Sequence, residues 1–272
     1  MMQFTVLTLF PEMFAPLQES ILKRAQEAKF IQIRLLNFRD YATSKHKNVD
    51  DIPYGGGAGM LLKPEPIFAA IRDLPPPTGQ RRVILLSPQG QIFSQKKAKD
   101  WSGEEELVFI CGHYEGFDER IRELADEEVS IGDYVLTGGE LAAMVMIDAV
   151  ARLIPGVLGE DASSEEDSHC SSLLEYPQFT RPADFEGRLV PDILVSGHHA
   201  KIKQWRRKES LRRTFLRRPD LIEAVTFEAD DYPLLEELVL EHPTIALWRI
   251  KWEHLCPQPK RRRRSSNKSE AK

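Results

Sequence analysis

Through the first 158 residues, short runs of apolar and β-branched residues alternate with longer stretches whose apolar positions recur at helical spacing. "QFTVLTLF" from Gln3, "IQIRLLNF" from Ile31, "RRVILLS" from Arg81 and "LVFICG" from Leu107 predict strands. The stretch from Pro11 to Phe30, opened by a proline, predicts a helix, as do "PEPIFAAIRDL" from Pro64, "FDERIRELADEE" from Phe117 and "GELAAMVMIDAVARLI" from Gly139. Strands separated by helices imply an α/β fold, a mostly parallel sheet with helices on its faces. The segment "GEDASSEEDSHCSSLLEYPQFTRP", Gly159 to Pro182, is polar and acidic and carries no periodic apolar face, which marks a linker. From Ala183 to about Trp252 the pattern changes to short helices, and Trp205, Leu211, Phe215 and Leu216 offer a small separate core. The end, "CPQPKRRRRSSNKSEAK", has almost nothing apolar to bury and is expected to be disordered. The expected division is therefore 1–158, a linker over 159–182, a helical α domain over 183–256 and a basic tail over 257–272.

Composition is consistent with this plan: 272 residues, 42% hydrophobic and 29% charged, with a mean hydropathy of −0.37 and no apolar run long enough to span a bilayer. The opening "MMQFTVLTLFPEMF" lacks the basic region and small-residue cleavage site of a secretory signal, so a cytoplasmic protein is expected. Cys111, Cys170 and Cys256 are too few and too scattered for a disulfide framework, and Cys111 is expected to pack as a small hydrophobe. Charge changes the picture more. The net charge is −5, yet "HHAKIKQWRRKESLRRTFLRRP", His198 to Pro219, holds nine Lys or Arg against the single acid Glu209. A local basic surface of this kind attracts a polyanion, although cations spread around a helix also read as a solvated face. His198-His199 lacks a third ligand at a recognisable spacing, so no metal site is expected there.

Three loops follow apolar runs: "LLSPQG" (Leu85 to Gly90), "CGHYEGFDER" (Cys111 to Arg120) and "SIGDYVLTGGE" (Ser130 to Glu140). In open α/β sheets ligands sit beyond the carboxyl ends of the strands, so three such loops converging there would build one pocket. Glycine-rich backbone suits a flat, polar-edged heterocycle; the other reading is that these are ordinary turn glycines. None matches a dinucleotide-binding or P-loop pattern. A fourth cluster, "VDDIPYGGGAGM" (Val49 to Met60), is either a flexible connector or a tightly turning loop beside Asp50, Asp51 and Tyr54.

Taken in order and spacing, "VDDIPYGGGAGM", "LLSPQG", "CGHYEGFDER", "SIGDYVLTGGELAAM", "RLIPGVLG", "EEDS", "YPQFTRP" and "SGHHAKIKQWR" resemble bacterial tRNA (guanine-N1)-methyltransferase, a SPOUT-class family, from residue 1 to about 220. The resemblance implies a homodimer and a deep trefoil knot in the N-terminal domain, which connection rules alone would have replaced by a plain doubly wound sheet. It implies S-adenosylmethionine as methyl donor and, as acceptor, N1 of the guanine just 3′ of the tRNA anticodon. It places the donor against Leu86, Ser87, Pro88 and Gln89, against Gly112, Tyr114, Glu115 and Gly116, and against Ser130, Ile131, Gly132, Asp133, Tyr134, Val135, Leu136, Gly138 and Gly139. It assigns RNA contact to Asp51, Tyr54, Gly57, Gly59 and Met60 in the N-terminal part and to Ser196, His198, His199, Trp205 and Arg206 beyond the linker.

Methylating N1 requires the N1 proton to leave and the charge that develops on O6 to be stabilised. Through the same resemblance these roles match Asp167 of "EEDS" as general base and Arg152 of "ARLIPG" as the donor to O6. By composition alone Asp167 is one linker acid among several. The linker is expected to order when tRNA and donor bind. Ile52, His113 and Ala142 stand where Arg, Arg and Pro are frequent in the family. Assistance by a divalent ion is left open, as is the tail's contribution to RNA affinity. Two other readings are a knotted methyltransferase acting on ribose or another base, and a non-catalytic RNA-binding protein.

Overall fold

The computed structural model describes residues 1–77, 79–158, 168 and 172–255. The chain forms two compact units, Met1–Glu165 and Glu166–Lys272. The first unit contains β1 (Met2–Thr8), α1 (Ser20–Glu27), β2 (Ile31–Asn37), the short pair β3 (Asp50–Asp51) and β4 (Leu61–Leu62), and α2 (Pro64–Arg72). These are followed by β5 (Arg81–Ile92), α3 (Gln95–Trp101), β6 (Glu106–Cys111), β7 (Glu127–Ser130) and α4 (Glu140–Ala151). Five strands pair in the order β2-β1-β6-β5-β7, and every pairing is parallel.

The two faces of the sheet bury separate cores, as the period of two dictates. Along β6, Leu107, Phe109 and Cys111 pack with Met146, Ile147 and Val150 of α4 and Trp101 of α3, whereas Val108 and Ile110 pack on the other face with Ile67 and Ala70 of α2. All of β6 is buried, which explains why its sequence reads as a continuous apolar run rather than an alternation. Cys111 is a buried free thiol, as expected, and burial together with the nearby Glu140 carboxylate holds its pKa well above the usual value.

Three elements differ from the sequence pattern. The helix expected from Pro11 to Phe30 is a 3₁₀ segment, Pro11–Gln18, followed by α1. Pro16 lacks an N–H for a longer helix, and Ser20, the first residue of α1, lies at φ +54°. The helix expected from Phe117 is a single 3₁₀ segment, Glu119–Leu124. It leads directly into β7, a strand hidden by its acidic sequence "EEVS". Glu127 is tolerated there because it meets Arg82 Nη1 at 2.7 Å, Trp101 Nε1 at 3.3 Å and Lys97, and Glu128 because it meets Arg122.

The second unit holds the hairpin β8 (Asp184–Phe185) and β9 (Arg188–Leu189), then α5 (Asp192–Val195), α6 (His199–Arg217) and α7 (Asp231–Glu241). Leu211 and Phe215 of α6 pack with Leu235 and Leu238 of α7 and with Ile222, Phe227 and Trp252. Leu211, Thr214 and Phe215 share the inward face at helical spacing, so Leu216, one residue further round, is left 44% exposed rather than in the core. Trp205 is half-buried.

Candidate active site

β5 is pinned to β7 twice. Leu86 and Gln91 both stand opposite Val129, so Ser87–Gly90 is looped out between them. Gly90 makes this possible, since a Cβ there would lie 2.4 Å from the Val129 nitrogen and 2.5 Å from the Glu128 carbonyl carbon. The Ser87 hydroxyl accepts from the Gln89 N–H at 3.1 Å and shapes the loop from within.

The second loop leaves the end of β6. Tyr114 adopts φ +59°, a left-handed conformation disfavoured for a non-glycine residue, and is 45% exposed. The Gly-rich segment after β3 is laced to this loop by backbone: the Glu115 N–H donates to the Met60 carbonyl at 3.1 Å, and the Leu62 N–H donates to the Gly116 carbonyl at 2.9 Å. Glu115 packs so closely over Gly59 that a Cβ there would meet its Cγ at 2.2 Å. The third loop returns across the second, with His113 and Gly138 forming an antiparallel bridge and the Gly139 N–H donating to the Gly112 carbonyl at 2.9 Å. A Cβ on Gly139 would come within 2.8 Å of the Cys111 Cα, so α4 starts in direct backbone contact with the end of β6.

Together the three loops enclose a cavity of about 370 Å³, within the range for a small organic ligand. Leu86, Ser87, Pro88 and Gln89 line it from the first loop; Gly112, Tyr114, Glu115 and Gly116 from the second; Ser130, Ile131, Tyr134, Val135, Leu136, Gly138 and Gly139 from the third. Gly132 and Asp133 are not among its lining residues; Gly132 instead shapes the turn, its N–H donating to Ser130 Oγ at 3.1 Å while its carbonyl accepts from the same hydroxyl at 2.9 Å.

A family model described as "tRNA (Guanine-1)-methyltransferase TrmD" matches residues 2–224. The chain is 73% identical over 262 residues to the tRNA (guanine-N(1)-)-methyltransferase of Desulfitobacterium hafniense strain Y51, covering 96% of this chain and 100% of that one. It is 60% identical over 254 residues to the protein of the same name from Geobacillus kaustophilus, covering 93% of this chain and 98% of the other. A Bacillus cereus protein, again of that name, is 58% identical over 243 residues, 88% of this chain and 100% of its own length. The chain belongs to the tRNA (guanine-1)-methyltransferase family.

The cavity has further walls that the motifs did not single out: His113, Phe117, Glu119, Arg122, Val129, Thr137 and Ala142. His113 and Thr137 lie inside the recognised loops and were within reach of the same reasoning. Glu119 and Arg122 were hidden because their stretch reads as an ordinary helix. The His113 ring sits against Phe10 (centroids 4.9 Å apart) and Tyr114 (4.8 Å), and its Nδ1 is buried without a hydrogen-bond partner among the described residues. Arg152 caps α4 at its C-terminal end and is exposed. Asp167 and most of its linker lie outside the described residues.

In the Gly-rich segment Gly57 lies at φ +131°, the Tyr54 ring is fully exposed, and Asp51 Oδ2 is 3.9 Å from Lys63 Nζ. In the second unit Ser196 Oγ accepts from the His198 N–H at 3.2 Å, His199 opens α6, and the Arg206 guanidinium lies 4.7 Å from the centre of the Tyr176 ring. The basic run on α6 is partly neutralised: Arg207 forms a bidentate pair with Asp231 (2.8 and 2.8 Å), Lys208 reaches Glu237 and Glu241, Arg212 pairs with Glu209 and Arg218 with Asp220. The solvated-face alternative therefore describes part of this run, and Lys201 and Lys203 are exposed near its start. No group of three or more His, Cys, Asp or Glu among the described residues is arranged to hold a metal, and none of their helices is long and apolar enough to cross a membrane.

Proposed function

We propose that this chain transfers the methyl group of S-adenosylmethionine to N1 of the guanine immediately 3′ of the anticodon in tRNA. The observation that carries this reading is the cavity itself, in a chain whose relatives are named for guanine-N1 methylation: the loop bulged out of β5 and the segments that follow β6 and β7 converge on it. Its volume and mixed lining suit a ligand of nucleoside size. Gly138 and Gly139 bring bare backbone to the cavity, and a Cβ on Gly138 would lie 2.3 Å from Glu140 Oε2 and 3.3 Å from the Gly112 carbonyl oxygen. Leu86, Ile131 and Leu136 offer apolar surface for a heterocycle, with backbone polar groups between them. The resemblance adds Gly132 and Asp133 to the donor's surroundings.

When bound, the donor supplies an electrophilic methyl on a sulfonium. The residues of the chain must then remove a proton and hold a charge. Asp167 accepts the N1 proton, freeing the nitrogen lone pair, and Arg152 donates to O6, where the negative charge collects. Substrate is held by Asp51, Tyr54, Gly57, Gly59 and Met60, whose segment is bonded to the second cavity loop, and by Ser196, His198, His199, Trp205 and Arg206 of the second unit. Contacts to the anticodon stem would be to phosphates and sugars, leaving the base to be read beside the donor.

The same reading divides the chain into a catalytic domain over 1–158 carrying the family's deep trefoil knot, a linker over 159–182, a helical RNA-binding domain over 183–256 and a tail over 257–272. The knot is carried over from the family resemblance alone. A homodimer is favoured by the outer side of α4, where Leu141 and Val145 are 47% and 51% exposed. A cytoplasmic location is part of the proposal. To test the function, purified protein is given methyl-labelled donor and two tRNA transcripts that differ only in having guanine or adenine 3′ of the anticodon. Label entering only the guanine transcript supports the proposal; equal label in both, or none in either, sinks it.

A further inference from the structure

We infer that Arg122 is a positioning residue for the methyl donor, because it fixes the orientation of the Gln89 side-chain amide at the cavity wall. Both residues line the cavity, and Arg122 is the one Lys or Arg side chain among the described residues of its walls. The guanidinium joins three elements. Its Nη2 donates to Gln89 Oε1 at 3.2 Å, its Nε donates to Glu119 Oε2 at 3.0 Å, and its Nη1 pairs with Glu128 on β7. The hydrogen bond to Glu128 is the largest cause holding the Arg122 pKa above its usual value, so the cation is permanent at any pH the enzyme meets.

A primary amide presents an oxygen that only accepts and an NH2 that only donates, and a guanidinium only donates. Arg122 therefore selects the amide orientation in which the oxygen faces it. The NH2 is what Gln89 keeps for a ligand. The backbone of the loop is already held, by Gly90 against Glu128 and Val129 and by Ser87 Oγ against the Gln89 N–H, so the side-chain amide is its remaining freedom. Gln89 then acts as a hydrogen-bond donor and selects an acceptor on the ligand, such as a ribose hydroxyl oxygen, an adenine ring nitrogen or a carboxylate. The network is preformed, so no ordering of this side chain is left for the binding step.

This inference rests on the cavity being the methyl-donor site, and the experiment separates the two. Calorimetry with S-adenosylmethionine, and in parallel with S-adenosylhomocysteine, is run on the wild-type protein, Arg122→Met, Gln89→Met, the double variant and Gln89→Glu. Loss of one oriented hydrogen bond predicts about tenfold weaker binding in each single Met variant. The double variant is predicted to bind no more weakly than the worse single one, because Arg122 acts through Gln89. Gln89→Glu keeps a partner for Arg122 but has nothing to donate, so it loses about tenfold in affinity while its melting temperature holds or rises. Additive losses in the double variant, or wild-type affinity in Gln89→Glu, would overturn the role. If Arg122→Met does not fold, Gln89→Glu and Gln89→Met decide alone. No binding by the wild-type protein would remove the donor-site reading and this inference with it.

Discussion

At Gly139 a Cβ would stand 2.8 Å from the Cys111 Cα and 3.0 Å from the Gly112 nitrogen, both backbone atoms that cannot swing aside. Gly139→Ala must therefore move the start of α4 away from the end of β6, and the cavity between them changes shape. The expected result is a loss of donor affinity of about tenfold or more with a lowered melting temperature, read by calorimetry and thermal unfolding. Wild-type values for both would show that the contact is not needed. Gly139 was legible in the sequence as part of a paired glycine before a helix; the specific reason, contact with β6, was not, because it joins residues that only the fold brings together. Asp167 is the opposite case, visible through a motif and outside the described residues. Asp167→Ala is expected to keep donor binding in calorimetry and to lose at least about a hundredfold in turnover, the usual scale for general-base loss. Retained turnover would remove Asp167 as the base.

Strand β7 shows what a pattern of polar and apolar positions misses. "EEVS" has two charges in four residues, yet Glu127 sits in the sheet because Arg82, Lys97 and Trp101 surround it. Burial raises the Glu127 pKa, and the hydrogen bonds and charges of these partners more than reverse that, leaving it below the ordinary carboxylate range. A depressed folded-state pKa means the stabilisation is present above the unfolded value and lost as pH falls through the folded one. Glu127→Gln should therefore cost about 1–3 kcal/mol at pH 7, and the cost should shrink as pH falls through the folded-state pKa, as measured by urea unfolding at a series of falling pH values. A cost independent of pH would contradict this. The strands β1, β2, β5 and β6 and the helices α2 and α4 were readable because apolar spacing alone specifies them. The Pro11 and Glu119 segments were not, because their hydrogen-bond type is decided by Pro16 in the first and by the immediate entry into β7 in the second.

At the scale of the whole molecule, the sequence pattern separates a sheet-bearing part from a helical part with a linker over 159–182, whereas clustering of the chain gives two compact units that divide at Glu165 and Glu166. What patterning could not supply was how the three loops converge, or which cations of α6 pair with acids of α7. If the exposed apolar side of α4 joins two copies, Leu141→Glu should shift the protein to monomers in sedimentation velocity and abolish methylation, while a variant that stays dimeric at micromolar concentration would exclude α4 from the interface. Where the methyl group lands separates guanine-N1 transfer from transfer to ribose or another base. Digesting the methylated transcript to nucleosides and identifying the labelled one by mass spectrometry tests it most directly: label in 1-methylguanosine, traced to the position 3′ of the anticodon, is the predicted result, and label on a ribose hydroxyl or on any other base would contradict it.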